Sequence, residues 1–119
     1  MTTSVQEGPV ILIGYEYRLQ LQAEADLFPE GAVFAGQVRS AIAAASMVAE
    51  LSSAAGSVRR VDDRTLEIVL TPAVTASLAP GMVVLDLVRT DLTPDRHLGF
   101  LLEIPVALPV TRLPASVGL

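Results

Sequence analysis

RTLEIVLTPAVTASLAPGMVVLDLVR, residues 64–89, contains the clearest secondary-structure signal of this 119-residue chain. Residues 65–70 alternate in the period-2 pattern of a strand with one buried face. Thr71-Pro72 then predicts the start of a short helix, because a threonine hydroxyl caps a helix and proline is tolerated at the first helical position. Pro80-Gly81 ends this turn, and residues 82–88 form a second apolar strand.

A helical corner between two strands that need not pair, here predicted over residues 71–79, is typical of a two-sheet sandwich. Other segments show strand patterns separated by turn residues, and the total is seven to eight strands. We therefore expect an all-β fold, an immunoglobulin-like two-sheet β-sandwich of seven to eight strands with this one short helical corner.

The length suits a single domain. We expect residues 9–112 to form the sandwich, residues 1–8 to be a disordered N-terminus, and residues 113–119 to be an extended C-terminal tail.

The segment Pro9–Ala25 predicts a long strand with one wet face. Gly14 marks a bulge or bend where the apolar residues 10–13 cross to another sheet or to a partner. One face of the strand is predicted to enter the core. Its members are Tyr15, Tyr17, Leu19, Leu21 and Ala23.

Two interpretations stay open for Ser40–Ser53. Its alanine content and an apolar stripe favour a helix that ends before Gly56. The alternative is a hairpin with a strand over Met47–Leu51. We favour the hairpin, because β pairing overrides weak helix propensity and a sandwich needs strands here.

Composition narrows the function classes. The chain has no cysteine, which excludes disulfides and thiolate chemistry, and its net charge of −5 argues against nucleic acid as the main partner. The N-terminus lacks the basic and apolar regions of a secretory signal, and residues 10–13 are too short to cross a bilayer, so we expect no membrane partner. The absence of cysteine also fits a reducing place of synthesis.

The apolar content points to assembly. Hydrophobic residues make up 51% of the chain and aromatic residues only 4%. A domain of this size cannot hide that much apolar surface in its own core, so we expect a face covered by another subunit. The alternative is a fully apolar core with an alanine-rich helix.

No constellation of catalytic residues is present, and we expect neither enzymatic activity nor a cofactor. His97 is the only histidine and has no nucleophile motif near it. Two acidic loops, with Asp62-Asp63 and Asp91/Asp95, could hold a calcium ion if they met, but solvated turn carboxylates are the default. We predict no metal site.

Asp86 is the one charged residue in the apolar run 82–88. It is either paired, for example with Arg39 or Arg18, or faces solvent. Arg59-Arg60 beside Asp62-Asp63 is either a wet hairpin or a rim contact to a partner.

Several segments match, in order, a pattern of known modules. They are GAVFAGQVR (31–39), VAELSS (48–53), T-x-x-x-T-x-x-L-x-x-G at Thr71, Thr75, Leu78 and Gly81, Asp86-Leu87, and Val110-Thr111-Arg112. In these segments the chain resembles the small immunoglobulin-like modules of tailed-phage virions that are grouped with the N-terminal domain of the baseplate upper protein. The aromatic residues usual after the corner glycine are replaced by Met82-Val83-Val84.

The resemblance implies a structural protein of a phage or phage-like particle such as a gene transfer agent, synthesised in a bacterial cytoplasm and located in the particle. Such a protein would be an adaptor or anchor for a fibre, head spike or receptor-binding protein on head, baseplate or tail. Its partners would be other virion proteins (capsid, fibre, spike or tail), with a homo-oligomer or ring as its own state. The alternative is a carbohydrate-binding sandwich that contacts host-surface glycans, although aromatic residues for it are few.

The apolar ends are the expected docking strands, because an exposed strand can add to a partner sheet. The predicted interface residues are Val10, Ile11, Leu12, Ile13, Val110, Thr111, Arg112 and Leu113.

Overall fold

The computed structural model describes residues 4–112. The elements, in chain order, are β1 (Ser4–Glu7), β2 (Ile11–Leu12), β3 (Tyr17–Gln22), β4 (Phe34–Arg39), β5 (Ala49–Ser52), β6 (Val58–Asp62), β7 (Thr65–Leu70), α1 (Pro72–Ala76), β8 (Gly81–Arg89), β9 (Arg96–His97) and β10 (Phe100–Ala107).

The strands form two sheets. The large sheet has the order β1-β10-β8-β4-β5, with β2 also paired to β10 and β9 to β8, and the small sheet has the order β3-β7-β6. The orders β10-β8-β4 and β3-β7-β6 correspond to the G-F-C and B-E-D orders of immunoglobulin sandwiches. The predicted fold class is confirmed. Ten strands are described instead of seven or eight, because Ser4–Glu7 form β1, the strand predicted over Pro9–Ala25 divides into β2 and β3, and the two-residue β9 pairs with β8.

The helical corner forms as predicted. Thr71 is the N-cap, its Oγ1 accepts a hydrogen bond from the Val74 N–H at 3.3 Å, and Pro72 begins the helix. Leu78 is buried behind the helix, and Gly81 has a φ of 137°, which favours glycine. The corner carries the chain from β7 in the small sheet to β8 in the large sheet.

The expected crossing at Gly14 is confirmed, although the long strand predicted over Pro9–Ala25 is interrupted. Before Gly14 the chain pairs with β10 in the large sheet, and after it β3 pairs with β7 in the small sheet. Gly14 has a φ of 89°. Its N–H donates to Thr75 Oγ1 at 3.1 Å, and Thr75 Oγ1 donates to the Tyr15 carbonyl at 2.8 Å. Buried Thr75 therefore fixes the crossing to the helical corner.

The core lies between the sheets and consists of the inward side chains of both. Phe28, from the loop after β3, enters this core and packs edge-to-face on Phe34 with ring centroids 5.8 Å apart. The largest fully buried apolar side chains are Phe34, Ile11, Leu51, Leu66, Ile68, Leu85, Leu87, Ile104 and Val38.

The structure differs from the sequence-based predictions at Ser4–Glu7 and Tyr15 and agrees with the predicted hairpin. Residues 1–8 were expected to be disordered, but Ser4–Glu7 pair in parallel with β10, so that expectation is wrong for these residues. Tyr15 was expected in the core and is 38% exposed. The hairpin interpretation of Ser40–Ser53 is confirmed, with its strand at Ala49–Ser52 instead of Met47–Leu51. The expected tail 113–119 lies outside the described residues.

Candidate interaction surfaces

The first predicted docking segment is part of the domain itself. Ile11 and Leu12 pair with Val106 and Ala107 of β10. Ile11 is fully buried and Ile13 packs against the core, so these two side chains are not free to meet a partner. Val10 and Leu12 remain 44% and 42% exposed. Residues 10–13 therefore do not form a free docking strand, because their own sheet uses them.

The second predicted segment lies at the same end of the sandwich. The Ile13 N–H donates to the Ala107 carbonyl at 3.0 Å, and the Tyr15 hydroxyl donates to the Thr111 carbonyl at 2.7 Å. Val110 is 97% exposed, and Arg112 donates to the Pro109 carbonyl at 3.1 Å. Leu113 lies outside the described residues.

The outward face of the large sheet carries apolar side chains from three strands, and a band of polar residues, Gln37, Arg39, Asp86 and Glu103, crosses its centre. Met82 is 43% exposed on this face, and its other members are half-buried. The register places Met82 beside Pro105 and Val88 beside Ala35. We call this surface the outer face. Its apolar members are Ala35, Met82, Val84, Val88, Leu101, Pro105 and Ala107.

The outward face of the small sheet has the opposite character. Arg18, Gln20 and Gln22 of β3 are exposed there. Arg18 bonds Glu16 at 3.1 Å and Glu67 at 3.0 Å. A sheet with one solvated side alternates polar and apolar residues, as β3 does, whereas a sheet covered on both sides does not. The outward side of β3 is therefore polar, whereas the outer face keeps partly exposed apolar side chains.

Asp86 belongs to the polar band of the outer face, and its partner is His97. His97 Nε2 lies 2.8 Å from Asp86 Oδ2, and His97 Nδ1 accepts the Gly99 N–H at 2.9 Å. Because Nδ1 accepts a hydrogen bond, the ring proton is on Nε2 and is donated to the carboxylate. The structure brings these two sequence candidates together as a pair that joins β8 to β9. The suggested partners were wrong: Arg18 lies on the small sheet and Arg39 bonds Gln37 and the Ala44 carbonyl.

The acidic loops use their carboxylates within the fold. The Asp91 carboxylate accepts hydrogen bonds from Arg89 at 2.6 and 3.1 Å and from the Val33 N–H at 3.1 Å. These contacts, with the Arg89 side chain as the largest contribution, lower the pKa of Asp91 to about 2. The Asp62 carboxylate accepts a hydrogen bond from the Arg64 N–H at 2.8 Å, and this bond lowers the pKa of Asp62. Among residues 4–112, no cluster of three or more possible metal ligands is present.

The arginine pair is also engaged locally. Arg60 donates to the Phe28 carbonyl at 2.8 Å and pairs with Asp63, and Arg59 donates to the Gly56 carbonyl at 3.0 Å. Arg60 therefore holds the loop that inserts Phe28 into the core. Its role as a rim contact stays a prediction.

A cavity of about 580 Å³ forms a groove between β3 and the end of β1. We call it the edge groove. Its floor is apolar and includes Leu19, Leu21, Phe28, Phe100 and Leu102, and its sides include Gln6–Pro9, Gln20 and Gln22–Ala25. Beside the groove, the Tyr17 hydroxyl donates to the carbonyl of Pro9, one of the lining residues, at 2.7 Å. Burial raises the pKa of this hydroxyl to about 12.

The glycan alternative depends on exposed aromatic rings. Tyr17, Phe28 and Phe34 are buried and Phe100 is half-buried, which leaves Tyr15 as the one exposed aromatic side chain in the described range. Its hydroxyl is already bonded to Thr111. In residues 4–112, every buried side-chain N or O atom has a hydrogen-bond partner. These features do not favour a sugar site.

The chain matches no protein-family model and no curated protein. Within residues 4–112, no helix is long and apolar enough to span a membrane.

The outer face could be predicted from the sequence, but the edge groove could not. The outer face was detectable in the run 82–88, where both sides of the strand are apolar apart from Asp86. The edge groove was not detectable, because it depends on β1 pairing with β10 and leaving β3 without a neighbour on one side.

Proposed function

We propose that the protein is a non-catalytic structural component of a phage or phage-like particle. In this proposal it is an adaptor or anchor for a fibre, spike or receptor-binding protein. The observation that carries the assembly role is the contrast between the two sheet faces. The phage context comes from the sequence resemblance.

The outer face supports a permanent contact. It brings partly exposed apolar residues from β4, β8 and β10 onto one face, around a central band of Gln37, Arg39, Asp86 and Glu103. Exposed apolar surface bordered by polar residues marks interaction sites on soluble proteins. Since β8 and β10 pair through a regular register, the surface is rigid before a partner binds, which reduces the ordering cost of assembly.

The motif behind the resemblance has a structural role in this chain. Thr71 caps the corner, Thr75 fixes the crossing at Gly14, and Leu78 is buried. These residues specify the sandwich and leave the surface free to vary with the partner. The partner in our proposal is a neighbouring structural subunit, either another copy in a ring or a different virion protein.

Incorporation into particles tests the proposal. Particles would be purified from cells that make the tagged protein with Met82→Glu on the outer face, or with Gln22→Glu on the small sheet as the matched control. Loss of an apolar contact and burial of a charge should lower incorporation of Met82→Glu by about tenfold or more, equivalent to about 1.4 kcal/mol. Gln22→Glu should incorporate like the wild type. Equal incorporation of both variants would exclude the outer face, and particles that lack the protein would exclude the proposed function.

A further inference from the structure

The free edge of β3 lies beside the edge groove. Among the described strands, β3 pairs only with β7. Constant-type immunoglobulin sandwiches carry a further strand beside the strand that corresponds to β3. Here the first strands, β1 and β2, pair with β10 in the other sheet instead. The position beside β3 is thus open for one more strand.

The ladder shows which groups a further strand would meet. The Ala23 N–H donates to the Arg64 carbonyl at 2.8 Å, directly across from it. Since hydrogen-bonded pairs alternate in an antiparallel ladder, Tyr17, Leu19 and Leu21 turn their N–H and C=O groups toward β7. The alternate residues therefore turn theirs to the open edge. They are Arg18, Gln20 and Gln22.

We propose that the chain's own C-terminal segment, residues 113–119, adds to β3 as a parallel strand and fills the edge groove. The described chain leads to this place. The Thr111 carbonyl accepts the Tyr15 hydroxyl at 2.7 Å, and Tyr15 lies just before β3. Seven extended residues span about 23 Å, enough to run beside the six residues of β3, which span about 20 Å.

The sequence of the segment fits an edge strand over an apolar groove. LPASVGL has Leu113, Ala115, Val117 and Leu119 at alternate positions, and proline, serine and glycine between them. One face would meet the apolar floor that includes Leu19, Leu21 and Phe100.

Pro114 selects the parallel orientation. In a parallel ladder, a residue opposite Leu19 or Leu21 hydrogen-bonds to the backbone groups of the β3 residues on either side, which are Arg18, Gln20 and Gln22. Its side chain lies on the same face of the sheet as Leu19 and Leu21 and therefore points inward. The tail residues in these positions are the alternate ones that include Ala115 and Val117, so the missing N–H of Pro114 faces away from β3. In an antiparallel arrangement with the same side chains inward, the residues that hydrogen-bond to β3 would instead be Pro114, Ser116 and Gly118. Proline has no N–H to donate, so this arrangement would lose a hydrogen bond.

Hydrogen exchange measured by NMR on the full chain tests this inference. In the docked state the Gln20 and Gln22 amides donate to the tail and are protected. Val117→Asp puts a charge into the groove and should speed their exchange by about tenfold or more. Ser116→Asp adds the same charge one residue earlier on the outward side and should leave them protected. The Leu19 and Leu21 amides, bonded to β7, should stay protected in both variants and show that the sandwich is folded.

Two results would overturn the inference. One is exchange at Gln20 and Gln22 as fast in the wild type as in Val117→Asp. The other is protection that grows with protein concentration together with a dimer mass in light scattering, which would place the tail of a second copy in the groove. A monomer with concentration-independent protection supports docking within one chain. The inference does not depend on the phage assignment.

Discussion

Replacing Thr75 by valine removes one hydroxyl from the point where the chain changes sheets. Thr75 has no exposed surface, and valine has the same branched shape, so packing is retained. The change removes the hydrogen bond accepted from the Gly14 N–H at 3.1 Å and the one donated to the Tyr15 carbonyl at 2.8 Å. Each such bond contributes about 1 kcal/mol net, and a backbone group left without a partner costs about 1–3 kcal/mol.

We therefore expect Thr75→Val to lower the free energy of unfolding by about 2–3 kcal/mol. For a domain of this size, that shift corresponds to a fall of about 8–12 °C in Tm. Urea denaturation followed by circular dichroism measures the change. Thr90→Val, at an exposed threonine, is the matched control and should stay within about 0.5 kcal/mol of the wild type. A Thr75→Val protein as stable as the Thr90→Val control would refute the role of Thr75 in fixing the crossing.

Three further changes test other parts of the structure. Gly36→Ala would place a Cβ against the Asp86 carbonyl and 2.8 Å from Leu87 Cδ2, so we expect a loss of about 3 kcal/mol or more in urea denaturation; a loss below about 1 kcal/mol would contradict the packing of β4 on β8. The pKa of Asp91, about 2, lies below its ordinary 3.8, so its contribution to stability is present above about pH 4 and is lost as the pH falls through 2. Asp91→Asn should therefore reduce the fall in the free energy of unfolding between about pH 4 and pH 2. An equal fall in both proteins would contradict the contact between Asp91 and Arg89. The pKa of Tyr17 is raised to about 12, so stability present below about pH 10 should fall as the pH rises through 12, and Tyr17→Phe should remove that fall; an equal fall in both proteins would argue against burial of the hydroxyl.

The corner and the sheet crossing were predictable because their signals are local. Thr71-Pro72 specifies a helix start, and the glycines at 14 and 81 permit backbone conformations that other residues avoid. The Ser40–Ser53 segment was harder, since alanine favours helix. In the structure Val38 pairs with Ala49, and the Val48 N–H donates to the Val38 carbonyl at 2.7 Å, so cross-strand bonding prevails over local propensity.

The contacts that could not be predicted are those between distant parts of the chain. The pairing of Ser4–Glu7 with β10 joins segments almost a whole chain apart, and its sequence lacks a strong strand pattern. Asp86 was recognised as unusual, but its partner depends on β9 folding back on β8, which brings His97 beside Val88. Ile11 is another example. It was predicted to dock on a partner, but it pairs with Val106 of β10 and is therefore buried in the core.

Cryo-electron microscopy of particles purified from cells that make this protein tests the proposed function most directly. Our account predicts density for the sandwich at the base of a fibre or spike, with Met82, Val84 and Leu101 of the outer face covered by a neighbouring subunit. Particles that are complete without this chain, or density in which the outer face is open to solvent and the charged face of the small sheet makes the contact, would contradict it.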